Sequence, residues 1–381
     1  MTHFGFLSTY PPTRCGLATF TEALAGGLAA SGARDSTVVR VLDDPDERLN
    51  PIVVGRVPST SELICGDRTS MRGAVRALDA TDIAIVQHEY GIYGGRDGEE
   101  VIELLQALDT PAIVVLHTVL AVPSAHQRSV LEAVCGLAAV VVVMTENARD
   151  ILQRSYRVNA AAVRVIPHGV PLQHDLSTRL RTAPGTAKRV VTWGLISAGK
   201  GLEWGIRAMA QLDDVTPSVE YVIAGQTHPK VLAHEGERYR ESLQTLIDDL
   251  GLHDTVTLDD RYLDPRQLAE LIATADVVLL PYDSRDQATS GVLVEAIAAG
   301  VPVVATGFPH AVELLAGGAG LIALHEDPES MATGIRTIVT TDTTRQRMHE
   351  AALRDTQATS WPAVAEQYRS LARGIVAARA A

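Results

Sequence analysis

The chain has 381 residues, with 33 Lys and Arg against 46 Asp and Glu, and so a formal net charge of −13. At about 100–200 residues per domain this length predicts two domains or one large one. A composition of 46% hydrophobic and 21% charged residues excludes disorder, collagen and a coiled coil as overall descriptions. The acidic total also argues against general nucleic-acid binding.

In chain order, residues 1–8 lack a basic run followed by a long apolar core and read as a buried strand, not a signal peptide. Further strands are expected at 37–42, 83–87, 112–117, 140–144 and 163–166, with helices at 17–30, 99–108, 125–135 and 146–154 between them. The longest apolar stretch, 137–144, is far short of the ~20 residues that span a bilayer. Cys15, Cys65 and Cys135 are odd in number and widely separated, so neither a disulfide framework nor a metal site follows from them. The expected compartment is a reducing cytoplasm, and Cys15 reads as a small filler residue. A peripheral membrane contact through a lipid-linked acceptor is compatible with these counts.

Residues 173–188 carry no sustained period and read as a linker. A second series then begins, with strands at 189–193, 220–224, 255–258, 277–281, 302–305 and 320–323 and helices at 202–212, 238–250, 265–275 and 291–299. Near-continuous apolar strands separated by helices imply parallel sheets covered on both faces. The expected domains are thus 1–172 and 189–356, two doubly wound α/β halves facing a central cleft. Ser360 is placed to cap a last helix over 363–378, with Trp361 and Pro362 in its first turn. The segment 357–381 is expected to pack back on the first domain.

The most informative segment runs from Pro281 to Ala305. A strand ends at Pro281, a polar loop follows, and Thr289-Ser290-Gly291 opens a helix that ends at Gly300. The first amides of a helix have no intrahelical partner and carry partial positive charge. Gly291 allows close approach to the backbone, and Ser290 can cap the helix or bond a ligand oxygen. Glu295 stands one turn further on, about 6 Å along the axis. That offset suits a diphosphate at the helix mouth and a ribose diol on the carboxylate. The apolar neighbours Val292, Leu293, Ala296 and Ile297 make a merely solvated Glu295 unusual.

This segment resembles the signature of the retaining GT-B glycosyltransferases of family 4, in which two glutamates separated by seven residues precede a Gly-x-Pro-Val-Val-Ala strand. Glu295 matches the second glutamate, which implies a ribose contact. Gln287 stands at the first, a neutral residue with Asp286 beside it. The resemblance implies a GT-B fold and transfer of a hexose, mannose favoured, from a nucleotide-diphosphate sugar such as GDP-mannose to a hydroxyl acceptor. That acceptor would be a sugar, a glycolipid or a metabolite. It implies no cofactor and no metal site; no strand-borne Asp-x-Asp cation site is evident, and no Walker or Gly-x-Ser-x-Gly motif is present.

Other segments extend the likeness. Gly194 to Gly201 form a Gly-rich loop after a strand, able to cradle phosphate, and the resemblance has Lys200 neutralise the leaving diphosphate. Leu195 stands where the family usually has Arg, and Arg285, Arg261 and Arg14 are the candidate replacements. Gly225-Gln226 matches a loop near the nucleotide, and Gly16 matches a glycine loop facing the diphosphate. His117 corresponds to a histidine close to the transferred sugar. Arg14, His88, Glu89 and Tyr90 are assigned to the acceptor side. The catalytic residues expected are His117, Lys200 and Gln287, and the donor contacts also include Gly16, Gly194, Gly225, Thr289, Ser290, Gly291 and Glu295. Two rival functions fit the same residues: a non-catalytic sugar-nucleotide binder, motivated by Gln287 and Leu195, and a sugar-nucleotide epimerase.

Overall fold

A computed structural model describes residues 1–32, 36–47, 57, 59–171, 186–354, 356 and 358–380. The chain divides into two compact units: Met1–Gly169 with Ala358–Ala381, and Val170–Gln357.

In the first unit the elements run β1 (Phe4–Ser8), α1 (Gly16–Ala30), β2 (Thr37–Leu42), β3 (Ser59–Ile64), α2 (Arg68–Asp79), β4 (Ile83–His88), α3 (Glu100–Ala107), β5 (Ala112–Leu116), α4 (Ala125–Leu137), β6 (Val140–Val143), α5 (Glu146–Ser155) and β7 (Val163–Val165). The strands form one parallel sheet in the order β3-β2-β1-β4-β5-β6-β7. Strands β1, β4, β5 and β6 are buried along their whole length, as expected of Val/Ile runs covered on both faces. The sequence reading omits β3 and α2. Strand β3 is an edge strand of sequence STSELI, with no apolar run to mark it. Helix α2 buries only a narrow stripe, Met71, Ala74 and Leu78 with Ser70, and is capped by Asp67, whose carboxylate accepts from Thr69 N and Ser70 N at 3.0 Å each.

The second unit runs β8 (Lys188–Trp193), α6 (Leu202–Met209), β9 (Val219–Ala224), α7 (Pro229–Glu235), α8 (Arg238–Asp249), β10 (Val256–Asp259), α9 (Pro265–Ala273), β11 (Val277–Leu280), α10 (Gly291–Ala298), β12 (Val303–Thr306), α11 (Pro309–Leu315), β13 (Gly320–Ala323), α12 (Pro328–Thr340) and α13 (Asp342–Leu353). Its parallel sheet has the order β10-β9-β8-β11-β12-β13. Helices α7, α11, α12 and α13 are additions to the sequence reading. Of the expected linker, residues 173–185 lie outside the described residues, and Lys188 already belongs to β8. Val170 falls in the second unit because it packs against Val294 and Ala298 on α10.

The last helix, α14 (Trp361–Ala380), belongs to the first unit. Val364, Ala365, Tyr368 and Ala372 are fully buried at helical spacing and share a cluster with Phe20, Leu24 and Leu28 of α1. The close approach of the two helices depends on Gly27, where a β-carbon would stand 3.2 Å from the Trp361 carbonyl oxygen. The Arg369 guanidinium donates to the carbonyl of Ser31, the C-cap of α1, where a cation also complements the helix dipole. No helix among the described residues is long and apolar enough to cross a membrane.

The Tyr368 ring is wholly buried and its hydroxyl has no hydrogen-bond partner among the described residues. Tyr368→Phe is therefore expected to raise unfolding free energy by about 1 kcal/mol, whereas Tyr368→Ala lowers it by about 3 kcal/mol. Urea titrations of the two variants check both signs.

Candidate functional site

In the second unit the strand order reverses between β8 and β11, and in such sheets ligands bind at the carboxyl ends of the strands flanking that reversal. Strand β8 ends at Trp193 and turns at Gly194, with φ +116°. The following loop closes at Gly201, with φ +58°, where a β-carbon would lie 2.1 Å from the Pro281 carbonyl oxygen. Only glycine tolerates both that conformation and that contact. Asp283 N donates to Gly199 O at 3.3 Å, so the loop carrying Lys200 is tied to the segment that leaves β11. There the Lys200 ammonium stands 4.1 Å from the centroid of the Tyr282 ring, which stacks on Phe308. The aromatic face holds the cation at the edge of the sheet.

The loop after β9 joins the same edge. A β-carbon on Gly225 would lie 1.9 Å from the Gly194 carbonyl oxygen, and Gly225 itself has φ +150°. The Arg240 guanidinium donates to Gly225 O and pairs with Glu237 at 3.6 Å. Arg240 thus brings a guanidinium to this edge, a residue the sequence reading did not single out. Of the arginines it did offer, Arg261 is clamped on Asp259 at 2.6–3.2 Å, Arg285 is exposed in the loop before α10, and Arg14 belongs to the first unit.

Helix α10 begins with Ser290 as N-cap, its hydroxyl oxygen accepting from Leu293 N at 3.3 Å. Ser290 N donates to His310 Nδ1 at 2.8 Å inside the protein. These two bonds leave the Gly291 and Val292 amides, which donate to no group among the described residues. The helix-start amides left free are therefore those of Gly291 and Val292, while Ser290 is occupied in capping. One turn on, Glu295 accepts the indole N–H of Trp193 at 2.9 Å. Burial pushes its carboxyl above the usual carboxylate range, and the indole bond partly pulls it back. Gln287 turns inward on its own loop, its amide donating to Thr289 O at 3.1 Å, which leaves its carbonyl oxygen for other donors.

In the first unit the order reverses between β1 and β4. The segment after β1 reaches Cys15, which is the N-cap of α1 and not a filler: its sulfur accepts from Ala18 N at 3.4 Å and meets Thr9 Oγ1 at 3.1 Å. Gly16 opens α1 with nothing within 4 Å of a would-be β-carbon, and Arg14 beside it is exposed. His117, just past β5, bonds Gln87 Oε1 through Nε2 at 2.7 Å and packs edge-on against Phe20. Glu89 accepts from Thr118 Oγ1 at 2.5 Å and from Tyr90 N at 2.9 Å, and burial pushes its carboxyl upward.

His88 departs from its expected place on an acceptor surface. It is the last residue of β4, 0% exposed, with its ring edge-on to Tyr90 and neither ring nitrogen partnered among the described residues. As part of the strand, paired with Leu116, it faces the interior, and Glu89 and Tyr90 alone of that segment are half-buried. Among the described residues no group of three or more His, Cys, Asp or Glu is placed to hold a metal ion.

Burial holds three histidines of the first unit neutral, His88 and His168 lowered to about 4 and His117 to about 3. In the unfolded chain each takes up a proton near pH 6.5. Between pH 6.5 and about 4 the unfolded state therefore binds more protons, and stability must fall as the pH falls through that window. Tm measured from pH 8 to pH 4 is expected to be flat above pH 7 and to drop below it, with a shallower drop in His88→Asn. An equal drop in that variant would remove His88 from the account.

The comparisons with known proteins agree with this architecture. Residues 15–174 match glycosyltransferase family 4, and residues 179–355 match glycosyl transferases group 1. A D-inositol 3-phosphate glycosyltransferase of Corynebacterium diphtheriae is 30% identical over 287 residues, covering 68% of this chain and 64% of the relative. The match thus spans less than two thirds of that relative's length. Among solved structures, sucrose-phosphate synthase from Thermosynechococcus elongatus superposes with a TM-score of 0.79 at 20% identity, over 99% of this chain and 100% of that one. Anabaena Alr3699/HepE in complex with UDP-glucose superposes with 0.74 at 18%, over 98% and 100%. At these identities the structural likeness establishes the fold. The chain is built from two Rossmann-like domains of the GT-B fold, the first similar to glycosyltransferase family 4 and the second similar to glycosyl transferases group 1.

Proposed function

We propose that this protein transfers a hexose from a nucleoside-diphosphate sugar to a hydroxyl acceptor, with retention at the anomeric carbon. The observation that carries the reading is the start of α10: two amides without a partner among the described residues, a half-buried carboxylate one turn along, and Lys200 held on the same sheet edge. The amides and Lys200 stabilise the diphosphate as it leaves, where preorganised donors act most strongly. Glu295 takes the ribose hydroxyls. The departing phosphate accepts the proton of the attacking hydroxyl, so no side-chain base is required. His117, kept neutral, offers a hydrogen bond to the sugar without adding charge, and Gln287 offers its amide carbonyl oxygen. Glu89, Tyr90 and Arg14 are assigned to the acceptor.

UDP-glucose stands first among donors, because the structural neighbour Alr3699/HepE is a complex with it, with GDP-mannose as the alternative suggested by the family signature. An inositol phosphate is placed ahead of a lipid-linked acceptor, because the matched curated relative carries that compound in its name. The test is a transfer assay over UDP-, GDP- and ADP-sugars, with inositol phosphates, sugar phosphates and glycolipids as acceptors. Transfer is expected to persist in EDTA. Binding without turnover on any acceptor would favour a non-catalytic sugar-nucleotide binder, and an isomerised donor in the absence of acceptor would favour an epimerase.

Two substitutions test the residue roles. Glu295→Ala is expected to abolish measurable donor binding, and Lys200→Ala to lower kcat by about 100-fold with a smaller change in KM. Unchanged transfer in both variants overturns the site.

A further inference from the structure

The pair formed by Trp193 and Glu295 joins the end of β8 to the second turn of α10. Trp193 is buried in an apolar cluster with Val191, Val278 and Leu293, where any large hydrophobic residue would fill the space. What the indole adds is a single N–H donor, and that donor is aimed at Glu295 Oε2 at 2.9 Å. Glu295 Oε1 takes no hydrogen bond among the described residues. A glutamate side chain has three free torsions, and fixing one carboxylate oxygen removes most of that freedom before any ligand arrives. The indole also opposes the effect of burial on the carboxyl, since an N–H donor favours the ionised acceptor.

We propose that Trp193 is a positioning residue that fixes one carboxylate oxygen of Glu295 and presents the other to the ligand, and so sets a preference for ribonucleoside over deoxyribonucleoside diphosphates. The proposal rests on the donor reading above and deepens it. A hydroxyl on a fixed carboxylate contributes a strong hydrogen bond, and an analogue lacking it leaves a half-buried carboxylate oxygen without a partner. A mobile or protonated Glu295 forfeits that discrimination while the amides of α10 and Lys200 still bind the diphosphate.

The experiment measures Kd by calorimetry for UDP, 2′-deoxy-UDP and 3′-deoxy-UDP, and in parallel for GDP and its deoxy analogues, with wild type and Trp193→Phe. Wild type is expected to prefer the ribonucleotide by on the order of 10- to 100-fold. In Trp193→Phe that ratio falls below about threefold, chiefly through weaker ribonucleotide binding, with deoxy-analogue binding changed by less than about threefold. A variant that loses affinity for all nucleotides in proportion, with the ratio kept, has lost structure and not selectivity, and overturns the inference. Failure of wild type to bind any nucleoside diphosphate overturns the donor reading itself, and this inference with it. A measurement on wild type alone guards against a variant that does not fold. The Trp193 indole N–H resonance is expected to shift when UDP is added to saturation, and less so with the deoxy analogue that binds most weakly. A resonance indifferent to the sugar hydroxyls overturns the proposal.

Discussion

The edge of the second sheet depends on one close approach of backbone to backbone. Gly225 comes so near the Gly194 carbonyl that any β-carbon there would overlap it. This brings the loops after β8 and β9 into contact at the point where the strand order reverses. Gly201 repeats the device against Pro281 and draws in the segment after β11. Three loops from three adjacent strands thus meet with no side chain between them, and α10 starts among them. A phosphate is small and needs main-chain donors at close range, so a site for it must be assembled from segments that can touch.

The charges follow from that arrangement. A chain of net charge −13 presents local positive character here through helix amides and one lysine resting on an aromatic face. Glu295 is half-buried and accepts a hydrogen bond from the Trp193 indole. In the proposed donor site, Glu295 and the α10 amides would serve different parts of one ligand with an offset of one helical turn. His310 belongs to the same arrangement, because by accepting the Ser290 amide it decides which amides stay free.

Much of this was legible in the sequence for a definite reason. Strands buried on both faces are apolar throughout, and a glycine that must touch another backbone cannot be replaced, so β8, β11, Gly194, Gly225 and the start of α10 carry strong local signals. Edge strand β3 lacks such a signal because one side of it faces no neighbour, and α2 buries too narrow a stripe to stand out. The partners Trp193, Tyr282, Arg240 and His310 were not legible as partners. Each acts through a contact made 15 or more residues away in the chain, and a hydrophobic or basic residue beside a strand has many other reasons to be there. His88 shows the converse. Its place beside Glu89 and Tyr90 drew it into the acceptor group, but a side chain still inside a strand follows the strand's own facing.

The return of α14 to the first unit has a consequence for how the molecule comes into being. The first unit is discontinuous in sequence, with the whole second unit lying between β7 and α14. On a ribosome the second unit has all of its strands in hand while α14 is still unmade, so it can close as an ordinary contiguous domain. The first unit meanwhile waits with the face of α1 uncovered, including Phe20, Leu24 and Leu28. The unit begun before the other is completed after it, and until α14 is made its exposed apolar face is a part of the nascent chain in need of protection.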